Sequence, residues 1–426
     1  MVRLTQNVEA AFEAESTYGD PPASALTHLG LLDTFDPRAV EMNVTPVASI
    51  GQSTEGFHAA GPINVTVPLK VALQGTGWTH LLGRAIGSTT IGSAVPHSLT
   101  GTANSVALLV RENGVGYTLA TGVVPNEVTL EADYTTGGYM TLDCACTGFY
   151  TQDSAADNAN FSDDSLFLVD NYSAVTFPTG PTSDPLLPTD LTVTVGTAAA
   201  TNTLVPDGPA GSYIEIGERY MRVYASEDTL DTSVSSDGVI DLAAGAEDTT
   251  EEIKAIIHAD ANWSCTRGGS DTSSVNLLKG IYNTEAAKTI YATTNMTTTF
   301  SNLKTLKLKV ANNNVPIAGT TTRNSITKWL TNNSVSRGLA DVTLELTMTA
   351  EDETWYDKYV AKTTIPLIRL DFGSSGSIAL TNGTITAFSR PLSGAGEIVD
   401  TMTIKFRGGG DYKNFSAFAI SADWTL

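Results

Sequence analysis

"GPINVTVPLKVALQGTGWTHLL", residues 61–82, and "GLADVTLELTMTAEDETWYDKY", residues 338–359, are two versions of one unit. In each, a tryptophan follows the opening glycine by seventeen residues, as Trp78 and Trp355. In the first, Val65, Val67, Leu69, Val71 and Leu73 alternate with Thr66, Pro68, Lys70, Ala72 and Gln74. In the second, Val342, Leu344, Leu346, Met348 and Ala350 alternate with Thr343, Glu345, Thr347 and Thr349. Period-two alternation buries one face of a strand and turns the other to solvent or a partner. Pro68 cannot donate to a ladder, so an edge or a bulge is expected there. A short helix is predicted after each strand. Trp78, Leu81, Leu82, Ala85 and Ile86 share one helical face, as do Trp355 and Tyr359. Thr349 followed by Asp352 is a start signal for the second helix.

The correspondence continues downstream. "GYTLATGVV" matches "SIALTNGTI", with Leu119 over Leu380 and Gly122 over Gly383. "YMTLDCACTG" matches "VDTMTIKFRG", with Cys144 over Ile404 and Cys146 over Phe406. The parts keep their order while the loops change length. Chance patterning in two unrelated β segments is the competing reading, and the shared order favours a tandem duplication of a mainly β domain with one short helix. The expected divisions are 1–170 for the first copy, 171–285 for a segment matching neither, and 286–426 for the second. The middle segment opens on the Pro-rich "FPTGPTSDPLLPTD" and contains predicted strands at "DLTVTV", "YIEIGERYMRVYA" and "NWSCTRGGSD". Its helix, "TTEEIKAIIHADAN", starts on a capping box of Thr249 and Glu252 and carries an Ile253, Ile256, Ile257 stripe. The segment reads as a small module, either inserted between the copies or appended to one of them.

Composition limits the function. The chain has 426 residues, 46 Asp and Glu against 24 Lys and Arg, and a net charge of −22, so it repels nucleic acid rather than gripping it. An acidic surface suits work in high salt, and it equally suits a wall that DNA must pass without sticking. No apolar run is long enough to span a membrane, and no secretion signal is recognisable at the start. Three cysteines cannot make a disulfide framework.

Motifs for chemistry are missing. The five histidines, among them His80 and His258 on predicted helices, lack metal-ligand spacing, and surface or structural roles are expected for them. Cys144 and Cys146 stand opposite apolar residues of the other copy, which favours a buried-core reading over metal binding. There is no P-loop and no GxSxG elbow. The acidic stretch "TQDSAADNANFSDD" lacks the spacing of an EF-hand loop and reads as solvated. No catalytic, cofactor-binding or metal residue is expected.

The early "EAESTYGDPP", the twin strand–helix units, "FSNLKTLKLKVANNN" and "LIRLDFGSSGSIALTNGTI" resemble the tail tube proteins of long-tailed, non-contractile phages and archaeal tailed viruses. The middle segment resembles a small virion β module through "IEIGERYMRV" and "CTRGGSDT". The resemblance implies a β-sandwich flanked by a helix, and single-domain members that stack as six-fold rings around a channel. Two copies per chain then imply a pseudo-sixfold ring of three chains. It also implies a virion protein made in the host cytoplasm, with tape-measure protein and viral DNA in the lumen and tail-tip and tail-terminator proteins at the ends. No cofactor or membrane is implied. Ring stacking is assigned to the long first loop, "TYGDPPASALTHLGLLDTFDPRAV", with Leu31, Leu32 and Phe35 as anchors; the alternative is a loop folded on its own core. Leu69, Leu346, Trp78 and Trp355 are the paired core positions. Lys70 and Glu345, on the polar strand faces, are lumen candidates. A decoration, baseplate or receptor-binding virion protein is the alternative function. A carbohydrate-active enzyme is disfavoured because no pair of carboxylates marks a cleft.

Overall fold

The computed structural model describes residues 8–15, 26–35, 40–47, 57–75, 77–86, 105–112, 116–149, 168–169, 178, 180–181, 183–196, 198–216, 220–226, 229–242, 245–274, 277, 280–284, 287, 289–293, 298–300, 302–313, 315–323, 330–336, 341–372, 377–391, 397–406 and 418–420. The protein is mainly β. The first copy contributes β1 (Val8–Ala14), β2 (Thr27–Phe35), β3 (Val40–Val47), β4 (Phe57–Ala72), α1 (Gly77–Ile86), β5 (Val106–Glu112), β6 (Gly116–Asp133), β7 (Thr141–Phe149) and β8 (Leu168–Val169). β9 (Thr192–Gly196) follows. A separate body holds β10 (Ala198–Asp207), β11 (Tyr213–Ile216), β12 (Tyr220–Ser226), β13 (Thr229–Leu230), β14 (Val239–Asp241), α2 (Thr250–Ala259), β15 (Ser264–Gly268), β16 (Gly280–Asn283) and β17 (Ile290–Thr293). The second copy has β18 (Thr298–Thr299), β19 (Leu303–Ala311), β20 (Val315–Arg323), β21 (Leu330–Ser336), β22 (Asp341–Thr349), α3 (Thr354–Val360), β23 (Ile365–Asp371), β24 (Ser377–Ser389), β25 (Val399–Lys405) and β26 (Phe418–Ile420).

The two copies build one wide antiparallel sheet in the order β2-β4-β7-β6-β19-β22-β25-β24. Four strands come from each copy, and the same four in the same order. β4, α1, β6 and β7 correspond to β22, α3, β24 and β25. The long strands β6 and β24 each serve two sheets. Their first halves pair with β5 and β23, and their second halves join the wide sheet. Such a strand must bend, and each does so at a residue in the left-handed region, Gly122 (φ 62°) and Asn382 (φ 53°). The structural counterpart of Gly122 is therefore Asn382, one residue before the Gly383 expected from sequence. Gly383 is required for another reason: a Cβ there would lie 2.8 Å from the Phe406 ring.

Alternation explains the layers. On β4 the side chains of Val67, Leu69 and Val71 are buried while Thr66 and Pro68 are exposed. On β22 Val342, Leu344, Leu346 and Met348 are buried. These inward faces of both copies form one hydrophobic core, together with Trp78, Leu81 and Leu82 of α1 and Trp355 of α3. Burying each such aliphatic side chain contributes about 1.5–3 kcal/mol. Pro68 does sit at a local edge. The pairing of β4 with β2 stops at Leu69 and that with β3 starts at Val65, so Pro68 faces neither strand.

Three expectations need correction. The long first loop contains a strand, β2, paired with both β1 and β4. The second helix does not start from Thr349, which lies in β22; its first turn is held by Asp352, whose carboxylate accepts from the Thr354 amide at 2.8 Å. β9 falls in the stretch expected to match neither copy, yet it pairs with β23 and β18 in the second copy. In the first copy β1 holds the equivalent place, between β5 and β2. Leu191, Val193 and Val195 accordingly pack in the main core.

The separate body has its own core, built on Leu204, Ile214, Ile216, Met221, Val223, Trp263 and the Ile253 and Ile257 stripe of α2. Its capping box is formed: the Thr249 amide donates to Glu252 Oε2 at 3.1 Å and the Glu252 amide to Thr249 Oγ1 at 3.4 Å.

Candidate functional site

The outward face of the wide sheet carries an organised polar surface. Period-two alternation that buries Val128, Leu130 and Ala132 of β6 turns Glu127, Thr129, Glu131 and Asp133 outward. The same logic turns out Asp143 of β7, Lys307 and Lys309 of β19, Asp341 and Glu345 of β22, and Lys405 of β25. Lys70 of β4 joins them, with Asp33 of β2 beside it. Carboxylates outnumber lysines: Asp33, Glu127, Glu131, Asp133, Asp143, Asp341 and Glu345 against Lys70, Lys307, Lys309 and Lys405.

The lysines are held by these carboxylates. Glu131 lies 3.8 Å from Lys70 and 2.9 Å from Lys307, so one carboxylate bridges cations of the two copies. Lys309 pairs with Glu127 at 2.6 Å, again across the joint between copies, and Lys405 with Asp341 at 2.9 Å. Lys70 also lies 4.0 Å from Asp33. The register of β6 and β19 places Glu131 directly opposite Lys307, and that of β19 and β22 places Lys307 opposite Glu345. The Glu131 hydrogen bond, then the Glu131 and Glu345 charges, hold the Lys307 ammonium above its ordinary pKa. Burial pushes the Asp143 carboxyl up, Lys70 opposes this, and Glu131 and Glu127 add to it. Chemically, this is a surface whose cations are already neutralised and whose excess charge is negative. It would not hold phosphate.

Both lumen candidates, Lys70 and Glu345, lie on this face. Sequence reasoning did not single out Glu131, Asp143 or Lys307, although "LKTLKLKVA" at 303–311 already alternates lysine with apolar residues. The stacking candidates separate. Leu31 is 49% exposed, Leu32 packs against the core, and the Phe35 side chain lies outside the described residues. Leu69, Leu346 and Trp78 are fully enclosed, and Trp355 nearly so. Trp78 meets Phe372 of the second copy edge-on at 5.8 Å, and Trp355 stacks on Phe300 at 5.0 Å.

Of the groups considered for chemistry, Cys144, Cys146 and Cys265 are buried free thiols. The His80 ring lies 5.3 Å from Phe12, and burial followed by the Arg84 charge lowers its pKa. His258 Nδ1 accepts from the Cys265 amide at 3.3 Å. Among the described residues no three His, Cys, Asp or Glu side chains converge as a metal site requires, and no helix is long and apolar enough to cross a membrane. The acidic stretch 151–164 lies outside the described residues.

No protein-family model matches the sequence, and no curated protein does. Among solved structures the chain is similar to one from the tail of an empty gene transfer agent particle refined with C6 helical symmetry. That match has 12% identity and a TM-score of 0.23, over 29% of this chain and 87% of the other. A chain from the virion of a native gene transfer agent particle matches with 10% identity and a TM-score of 0.22, over the same shares of 29% and 87%. These likenesses are local and weak, and the function below rests on the repeat and the wide sheet instead.

Proposed function

We propose that this chain is a tail tube subunit, a structural and non-enzymatic virion protein. Three copies close a ring of six repeats, and rings stack into a tube that conducts DNA. The observation that carries the reading is the joint inside the chain. The second half of β6 pairs antiparallel with β19, from Glu127↔Ala311 to Asp133↔Thr305, which sets the two copies edge to edge in like orientation. β24 is the counterpart of β6, and among the described residues no strand pairs with the outer edge of its second half, Thr384–Ser389. β2 is the counterpart of β19, and its end Leu32–Phe35 is likewise paired only with β4. A head-to-tail contact that leaves unlike edges open at the two ends closes into a ring or runs on as a filament. Closure removes edges that otherwise invite aggregation.

On this reading the acidic sheet face lines the channel, Leu31 serves ring-on-ring contact, and tape-measure protein and DNA pass without specific binding. Tail-tip and tail-terminator proteins close the two ends. The separate body, 198–293, is an insertion within the second copy, between β9 and β18, and stands outside the wall. The acid excess suits a host with molar internal salt; folding equally well in dilute buffer would remove that part. The test is electron microscopy of the full chain in molar salt, beside light-scattering mass. Hollow tubes, or rings with the mass of three chains, are expected. A chain that stays single even with its tape-measure and tail-tip partners overturns the tube in favour of a decoration or receptor-binding role.

A further inference from the structure

The two helices α1 and α3 are equivalent in position but not in covering. α1 packs beside β6 and also reaches β19 of the second copy. Phe372, just after β23, meets Trp78, and Asn312, just after β19, donates from its side chain to the Ala85 carbonyl at the end of α1. Every described side chain of α1 apart from His80 is buried, Thr79 at 2% exposure included.

α3 lies against β24 as α1 lies against β6. It is firmly placed: Arg390, at the end of β24, donates to both Asp400 oxygens at 2.6 and 2.8 Å, to Glu353 at 2.6 Å and to the Asp352 carbonyl at 2.6 Å. Its flank is bare nonetheless. Tyr356, in the place of Thr79, is 45% exposed, and Val360, in the place of Gly83, is 59% exposed. Tyr356 leans on Phe388 of β24 at 5.7 Å, so the apolar surface runs from the helix to the open edge of the sheet. A rigid, partly aromatic surface beside an open edge has the character of an interface core.

We propose that the flank of α3 formed by Tyr356 and Val360, with Phe388, is the seat of the first repeat of a second copy of this chain. The internal joint is the template: there the following repeat meets α1 at Trp78 and Ala85 and pairs with β6. Among the described residues no repeat follows α3 within its own chain, so another copy supplies it. Tyr356 and Val360, larger than their counterparts Thr79 and Gly83, supply apolar area that a contact between separate chains needs and a tethered one does not. This proposal rests on the ring reading and names the surface on which the ring closes.

The test compares the parent chain with the double variant Tyr356→Glu, Val360→Glu, by light-scattering mass at matched concentrations. Loss of the three-chain species, with unchanged circular dichroism, is expected where the parent is fully assembled. A variant that assembles as the parent does overturns this interface and leaves the ring standing; a parent that never assembles, even with its tape-measure and tail-tip partners, overturns both. Should the variant misfold, Val360→p-benzoylphenylalanine in assembled parent rings decides. Photo-cross-links into residues 1–170 of another chain are expected. Cross-links only into residues 198–426, or none, overturn the proposal.

Discussion

Asn312 and Ala85 lie 227 residues apart, and the side-chain amide of the first donates to the main-chain carbonyl of the second. The same amide donates to the Pro125 carbonyl at 3.3 Å, and the Asn312 main chain donates to the Asn126 carbonyl at 2.7 Å. One buried side chain of the second copy thus joins the end of α1 to β6 in the first. The joint between copies is fixed here in three dimensions, whereas sheet pairing alone would leave it free to twist.

Replacing Asn312 by Leu removes these side-chain bonds while keeping the volume. A cost of about 1–3 kcal/mol is expected for polar groups that lose buried partners. Urea unfolding of the full chain measures it, and a midpoint unchanged from the parent's would show that the Asn312 side-chain bonds add nothing to the joint.

How much of this was legible in the sequence depends on whether a feature is local. The alternation in β4 and β22 was readable because period two encodes a sheet face directly, and α1 and α2 announced themselves by helical stripes. β2 was not readable. Gly30, with φ of 93°, interrupts its alternation, and the strand owes its existence to β1 and β4, which supply the hydrogen bonds. β9 was legible as a strand but not by its partner, since Thr192 pairs with Asp371 after the whole separate body has intervened. The charged face was half legible: which residues point outward follows from alternation, while which lysine meets which carboxylate follows from the joint of the copies.

The paired tryptophans differ in what surrounds them. Trp78 is fully enclosed and touches Phe372 across the joint, while Trp355 retains 8% exposure. Trp78→Ala should cost about 3–5 kcal/mol, and Trp355→Ala the lower end of that range, because its site can be refilled more easily. Denaturant titration of both variants gives the order; equal losses would show that the fuller enclosure of Trp78 and its Phe372 contact are matched by the stacking of Trp355 on Phe300.

The separate body carries a pH-dependent anchor. Asp231 accepts from the Trp263 indole at 2.9 Å and from the Ser233 amide at 3.1 Å. Burial pushes its carboxyl up, but the bonds from Ser233 and Trp263 outweigh this and hold its pKa below the ordinary value. A carboxylate depressed in the folded state contributes stability that is present above the unfolded value of about 3.9 and is lost as pH falls through the folded value. Asp231→Asn should therefore be less stable than the parent at pH 5, with the gap closing toward pH 2. Urea unfolding of parent and variant followed by circular dichroism at the two pH values checks this, and a gap independent of pH would place the effect in packing.

Glu131 tests the sheet face itself. Its carboxylate is shared by Lys70 at 3.8 Å and Lys307 at 2.9 Å, so neutralising it takes one negative charge away and loosens two cations together. Lys307 keeps Glu345 as a neighbour and Lys70 keeps Asp33, which limits the change to a local one. With Glu131 neutralised the face still carries six carboxylates against four lysines, so assembled Glu131→Gln protein should retain no labelled DNA oligonucleotide at about 50 mM or about 200 mM salt. The parent should retain none at either salt, as fluorescence anisotropy would report. Lys307→Gln is the matching control: it leaves Glu131 and Glu345 to repel each other and should bind no DNA at any salt. If the parent or Glu131→Gln held the oligonucleotide at either salt, the carboxylate excess would not be what keeps this face from gripping phosphate, and the channel wall would have to be sought on another surface.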